Sequence, residues 1–209
     1  MHWNILDEAR TDLLPPLSFT KDAGFYLAGG TGLALQIGHR DSIDFDFFKE
    51  GSIDPNEIFV LAERALNGHK VVVVQNEPDT LTLLVDGSIK MSFFGYGHQL
   101  VAPLVTTEHI DLASLRDIGC MKLAAITGRS LEKDYIDLYF LLQSIALSEL
   151  LADLQMKIPV LDETMVLKAL VYFDDVTREP ILFKENHNVT FETVQEFLRQ
   201  HVKEYYKKL

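Results

Sequence analysis

At 209 residues, 47% of them hydrophobic, the chain can hold one compact domain or one domain with a helical extension. Its 19 Lys and Arg face 31 Asp and Glu, a net charge of −12, which excludes a broad basic face for duplex DNA but leaves room for a small metal-carrying anion or a localised RNA contact. No apolar run reaches membrane-span length, Met1–Thr11 has no signal-peptide pattern, and a lone Cys120 rules out an intrachain disulfide, so the expected setting is the cytoplasm with no membrane contact.

A first short helix is predicted over Leu6–Leu14, ended by Pro15-Pro16. Gly24–Ala28 reads as a strand running into Gly29-Gly30-Thr31, and Gly32–Ile37 as a short helix starting on that turn. Ser42–Phe48 alternates with period two: Ser42, Asp44 and Asp46 on one face, Ile43, Phe45 and Phe47 on the other. Pro55 opens a helix to about Leu66. Lys70–Gln75 and Thr80–Val85 read as strands, and the Asp86-Gly87 turn pairs Ser88–Phe94 back onto the second of them. Beyond Pro103 the pattern is helical. Ser114 caps a helix to about Thr127, Ser130 caps the next to about Ser144, and further helices fit Ser148–Gln155, Glu163–Tyr172 and Thr190–Lys207. The expected architecture is an α+β fold: an α/β lobe with a small mixed sheet over residues 1–110, then a helical lobe over 111–209.

Two segments carry chemistry. In the first, Gly29-Gly30-Thr31 is followed after twelve residues by Asp44-Phe45-Asp46. Paired glycines let the backbone turn with positive φ and approach a ligand, and amides at a helix start suit a phosphate. Aspartates at i and i+2 of a strand share one face about 6.6 Å apart, within reach of one magnesium ion or two neighbouring ones. No Gly-Lys-Ser/Thr follows the glycines, so this is no Walker-type loop. In the second segment, Lys122 falls on one helix and Lys133, Asp134 and Asp137 on the next, with Gly128 and Arg129 at the corner. A lysine there can reach a phosphate as a point charge, and an aspartate beside it would fix its position. The same spacing is also that of salt bridges on a helix surface.

Together, Gly29-Gly30-Thr31-Gly32-Leu33-Ala34-Leu35, Arg40-Asp41-Ser42-Ile43-Asp44-Phe45-Asp46-Phe47-Phe48 and the later Lys122, Arg129, Lys133-Asp134 and Asp137-Leu138 resemble the AbiEii/AbiGii nucleotidyltransferase toxins of type IV toxin–antitoxin pairs. The resemblance implies a polymerase-β-like fold and a functional quartet of Ser42, Asp44, Lys122 and Asp137, with Asp46 as the second metal ligand. It also implies a phosphate site at Gly29, Gly30, Thr31, Arg40, Ser42 and Lys122, Mg2+ on Asp44 and Asp46, a nucleoside triphosphate as donor, tRNA as acceptor and a cognate antitoxin as partner. One departure stands out. Many minimal nucleotidyltransferases carry a third carboxylate on a later strand, whereas Ile89–Phe94 offers Lys90, Ser92 and Phe94 on one face and no acid. That keeps two alternatives open: a catalytically weakened nucleotide- or antitoxin-binding protein, and transfer to a protein or small-molecule hydroxyl.

Overall fold

The computed structural model describes residues 1–184 and 186–208; Glu185 and Leu209, both within the predicted helical half, lie outside the described residues. Two compact units are present: Met1–Gln99 with Pro103–Ser114, and Leu100–Ala102 with the chain from Leu115 on.

The first unit is built on a seven-stranded mixed sheet. Its elements are α1 (Glu8–Asp12), α2 (Phe19–Asp22), β1 (Tyr26–Leu27), α3 (Gly29–Ile37), β2 (Phe45–Glu50), α4 (Pro55–Ala65), β3 (Val71–Glu77), β4 (Thr80–Val85), β5 (Ile89–Tyr96), β6 (Val105–Thr106) and β7 (Asp111–Leu112). The strand order is β3-β4-β5-β2-β1-β7-β6. β2 lies between β1, to which it is antiparallel, and β5, to which it is parallel. Period-two alternation sends Phe45 and Phe47 of β2, Leu81, Leu83 and Val85 of β4, and Ile89, Met91 and Phe93 of β5 into one core with Ile58, Ala62 and Leu66. Phe93 stacks on Phe47 at 5.4 Å and meets Phe25 edge-on at the same distance, which locks the register of β2 against β5. The β4–β5 hairpin turns at Asp86 (φ 49°) and Gly87 (φ 72°), with Ser88 N–H closing on the Val85 carbonyl. α4 starts at Pro55, where the Asp54 carboxylate accepts from Asn56 N–H.

The second unit holds α5 (Leu115–Gly128), α6 (Glu132–Leu141), α7 (Leu147–Lys157), α8 (Glu163–Val171) and α9 (Phe191–Tyr206). Asp162 and Thr190 cap α8 and α9 through their side chains. Ser130 does not cap α6. The N-cap is Leu131, held extended because it bridges Thr177 while the Ser130 carbonyl accepts from Thr177 N–H. Residues 100–102 belong here because Asp117 accepts from the amides of Val101 (2.9 Å) and Ala102 (3.2 Å). The same carboxylate, fully buried, pairs with the fully buried Lys157 at 2.7 Å. Cys120 is fully buried, and burial pushes its thiol up to about 12, so it packs and does not react. Among the described residues no helix is long and apolar enough to cross a membrane.

Candidate active site

β1 ends at Leu27, and Ala28 leads directly into α3, whose first ladder bond runs from Gly32 N–H to the Ala28 carbonyl at 3.0 Å. The helix thus begins at Gly29, three residues before the predicted start. The amides of Gly29, Gly30 and Thr31 sit at its open end, where unsatisfied N–H groups and the helix dipole favour an anion.

Both glycines are required here by what crowds them. Gly29 has φ 63°, and a Cβ on it would stand 2.9 Å from Asp46 Oδ2. A Cβ on Gly30 would lie 2.6 Å from Arg40 Nη2 and 2.9 Å from Ser42 Oγ. The start of α3 is therefore flanked by a guanidinium and a hydroxyl on one side and a carboxylate on the other. Arg40 is only 6% exposed and donates to the Asp41 carbonyl at 3.0 Å.

The segment before β2 is held by its own carbonyls. Thr31 Oγ1 is bonded to the Asp44 carbonyl and, at 2.9 Å, to Ser42 Oγ. A carbonyl can only accept, so the Thr31 proton goes to Asp44 and Thr31 in turn accepts from Ser42. Arg10, held by Asp7, donates through Nε to the Ile43 carbonyl at 2.7 Å. These bonds correct the predicted strand Ser42–Phe48: with the carbonyls of Ile43 and Asp44 taken, ladder pairing starts at Phe45. Ile43 is 58% exposed and does not join Phe45 and Phe47 in the core. Asp44 precedes the strand and Asp46 lies within it, both half-buried.

Across the sheet from Asp46, the facing residue of β5 is Ser92, and beyond it Thr82 of β4 and Gln75 of β3 continue one row. Thr82 Oγ1 lies 3.4 Å from both Ser92 Oγ and Gln75 Oε1. β5 therefore sets a buried hydroxyl beside Asp46 where an acid could stand. Asp86 is spent at the hairpin turn, accepting from Lys70 N–H and bonded to His69 Nδ1, and that His69 bond lowers its pKa. No cluster of three or more His, Cys, Asp or Glu able to hold a metal occurs among the described residues.

In the second unit, Lys122 of α5 meets two carboxylates of α6. Its Nζ lies 2.7 Å from Asp134 Oδ1 and 2.5 Å from Asp137 Oδ2. Arg129 at the corner pairs with the other Asp134 oxygen at 3.1 Å. Both aspartates are fully buried and Lys122 is 5% exposed. The surface-salt-bridge reading of this spacing is thus overturned for Lys122, Asp134 and Asp137, which are buried together, while Arg129 reaches Asp134 from an exposed position and balances the charge. Lys133 is a surface charge, pairing with Glu179 at 3.0 Å. Reading the sequence missed Arg10, Thr82 and the bridging role of Asp134. Only Asp134 carried a local signal, its place four residues after the Ser130 corner.

The profile described as "Nucleotidyl transferase AbiEii toxin, Type IV TA system" matches residues 18–204, which takes in both segments. The chain belongs to this family. An uncharacterized protein of Aquifex aeolicus (strain VF5) is 37% identical over 185 residues, 87% of each chain. The fold is similar to that of MenT4, a nucleotidyltransferase toxin from Mycobacterium tuberculosis H37Rv, at TM-score 0.59 and 14% identity over 92% of this chain and 80% of that one. It is also similar to JHP933 from Helicobacter pylori, at TM-score 0.60 and 17% identity over 98% and 94%. The start of α3 at the glycine turn presents backbone amides of the kind that phosphate oxygens accept from. Gly30→Ala is expected to raise the KM for the triphosphate at least about tenfold, because the new methyl must displace Arg40 and Ser42 from the helix start. An unchanged KM, read with an intact melting curve, would show that this close approach does not serve the substrate.

Proposed function

We propose that this nucleotidyltransferase transfers a nucleotidyl group from a nucleoside triphosphate to a hydroxyl of RNA, tRNA in the first instance, in a magnesium-dependent reaction in the cytoplasm, under control of a cognate antitoxin. The observation that carries the reading is the Gly29-Gly30 turn, where Asp46 on one side and Arg40 with Ser42 on the other close on one helix start. Donors there suit phosphate oxygens, and the Asp46 carboxylate beside them suits a cation.

Asp44 and Asp46 fit a magnesium ion by donor chemistry: two hard, acceptor-only carboxylates, the protein share normal for magnesium held together with substrate phosphates and water. Bound there, magnesium would neutralise charge on the phosphates and polarise the α-phosphorus. The chain's own residues supply positioning. The α3 amides, Arg40 and Ser42 hold the triphosphate so that the acceptor oxygen can attack the α-phosphorus in line while the bond to pyrophosphate breaks. The acceptor proton passes to solvent. Phosphoryl transfer has a loose transition state, so positioning and charge stabilisation dominate over base strength. Lys122 has two of its three N–H directed at Asp134 and Asp137, and the third remains as a donor. Asp137, 2.5 Å from the ammonium, holds the lysine in place.

Ser92 beside Asp46 favours a second reading, a nucleotide-binding protein with weakened catalysis. One experiment separates the readings: incubation with each labelled triphosphate, magnesium and either purified RNA or lysate protein. Label in RNA supports transfer to RNA. Label in protein or in small molecules moves the acceptor elsewhere. Triphosphate bound without label in any acceptor leaves the weakened protein.

A further inference from the structure

The last turns of α9 carry a feature that the site above does not use. An open groove of about 670 Å³ is lined by Val171 at the end of α8, by Arg199, Val202, Lys203 and Tyr206 of α9, and by Lys207 just past its end. Positions 199, 203, 206 and 207 follow helical spacing, so three cations and a tyrosine share one face over about 12 Å of helix. Val202 is 6% exposed and forms the floor, whereas Tyr206 is 51% exposed at the edge. Arg199 is steadied by packing over the Phe173 ring at 5.0 Å. Tyr205, one residue before Tyr206, donates to Glu163 at 2.8 Å and ties this end of α9 to α8.

We infer that this groove binds the phosphate backbone of single-stranded RNA, with a base stacked on Tyr206; the inference rests on the RNA reading above. The charge runs against that of the whole chain. In a protein of net charge −12, residues 199–207 hold three cations and one acid, Glu204, whose carboxylate accepts from Gln200 at 2.9 Å. Lysines in a last turn also answer the helix dipole, which accounts for Lys203 and Lys207. It does not account for Arg199 two turns earlier, nor for an exposed tyrosine over an apolar floor. Cations that track phosphates beside an aromatic face are the elements of sequence-tolerant single-strand binding. An acidic peptide would use the cations and leave the ring idle.

The test uses the full chain and a short labelled single-stranded RNA, with binding measured across a series of salt concentrations. Three phosphate contacts give a log–log salt slope of about −2 for wild type. Lys203→Ala with Lys207→Ala is expected to reduce the slope to about −0.7 and to weaken binding more than tenfold at low salt. Tyr206→Ala is expected to weaken binding about tenfold with the slope unchanged. All three positions are exposed, so melting curves should match wild type. Variants that bind RNA as wild type does overturn the groove, even where the wild type labels RNA in the transfer assay. Equal competition by polyglutamate overturns it as well. A wild type that labels no RNA overturns the acceptor reading instead, while the salt slopes still judge the groove.

Discussion

Lys122→Ala is expected to lower the melting temperature by roughly 10 °C or more and to abolish transfer. Removing the ammonium leaves Asp134 and Asp137, both fully buried, without the charge that lies 2.7 and 2.5 Å from them. Breaking a buried ion pair from one side costs about 3–5 kcal/mol, because the orphaned charge keeps its desolvation penalty. At about 2–4 °C per kcal/mol for a chain of this size, the loss is visible in any thermal melt. Loss of activity in this variant alone therefore says nothing about catalysis. The decisive comparison is Lys122→Met combined with Asp134→Asn and Asp137→Asn, which removes the charges together. Arg129, 58% exposed, stays solvated when Asp134 loses its charge. The triple variant should regain most of the stability and none of the transfer. Recovery of both would reduce Lys122 to a structural residue. Lys122→Arg should keep the charge and only part of the activity, since a planar fork aims its donors differently from an ammonium.

Asp44→Asn and Asp46→Asn are expected to act the other way round, with transfer down about 1,000-fold or more and stability unchanged or slightly raised. Asp41, Asp44 and Asp46 fall within six residues, and neutralising one relieves repulsion among like charges. For the wild type, magnesium and triphosphate together should raise the melting temperature more than triphosphate alone, by linkage. Each variant should lose that magnesium-dependent increment and keep the increment due to triphosphate, because the α3 amides and Arg40 are untouched. If Asp44→Asn keeps the full magnesium increment and wild-type transfer, the metal is not held by this strand.

How far these arguments could be made before any coordinates depended on their range along the chain. Thr80–Val85 and the Asp86-Gly87 turn are local features: alternation and the tolerance for positive φ are written in adjacent residues, and β4 spans the predicted residues. α9 likewise announces itself through the Thr190 cap and its periodicity. By contrast, Ser42–Phe48 alternates perfectly in sequence, yet Ser42, Ile43 and Asp44 stay out of the sheet. The competitors for their backbone are Thr31 and Arg10, 13 residues away from Asp44 and 33 from Ile43. No local pattern signals such a capture. Ser130 is a good cap by type, but Thr177, 47 positions on, holds the neighbouring Leu131 extended and moves the cap to it.

The sequence by itself determined the family, the mixed α+β fold and which residues carry oxygen and cationic chemistry, since residue type and short-range spacing suffice for those. Only the tertiary structure decided how each charge is used. Lys122 and Asp134 are twelve residues apart at spacings that suit a surface as well as a core, and burial alone turns them from a weak solvated pair into one whose loss is expensive. The neighbour of Asp46 was likewise decided by register: β2 lies parallel to β5 with Asp46 facing Ser92, through a pairing of residues 46 positions apart. The physical reason is the same in both cases. Side-chain chemistry is a property of the residue, whereas dielectric environment and charge balance belong to whatever the fold packs around it.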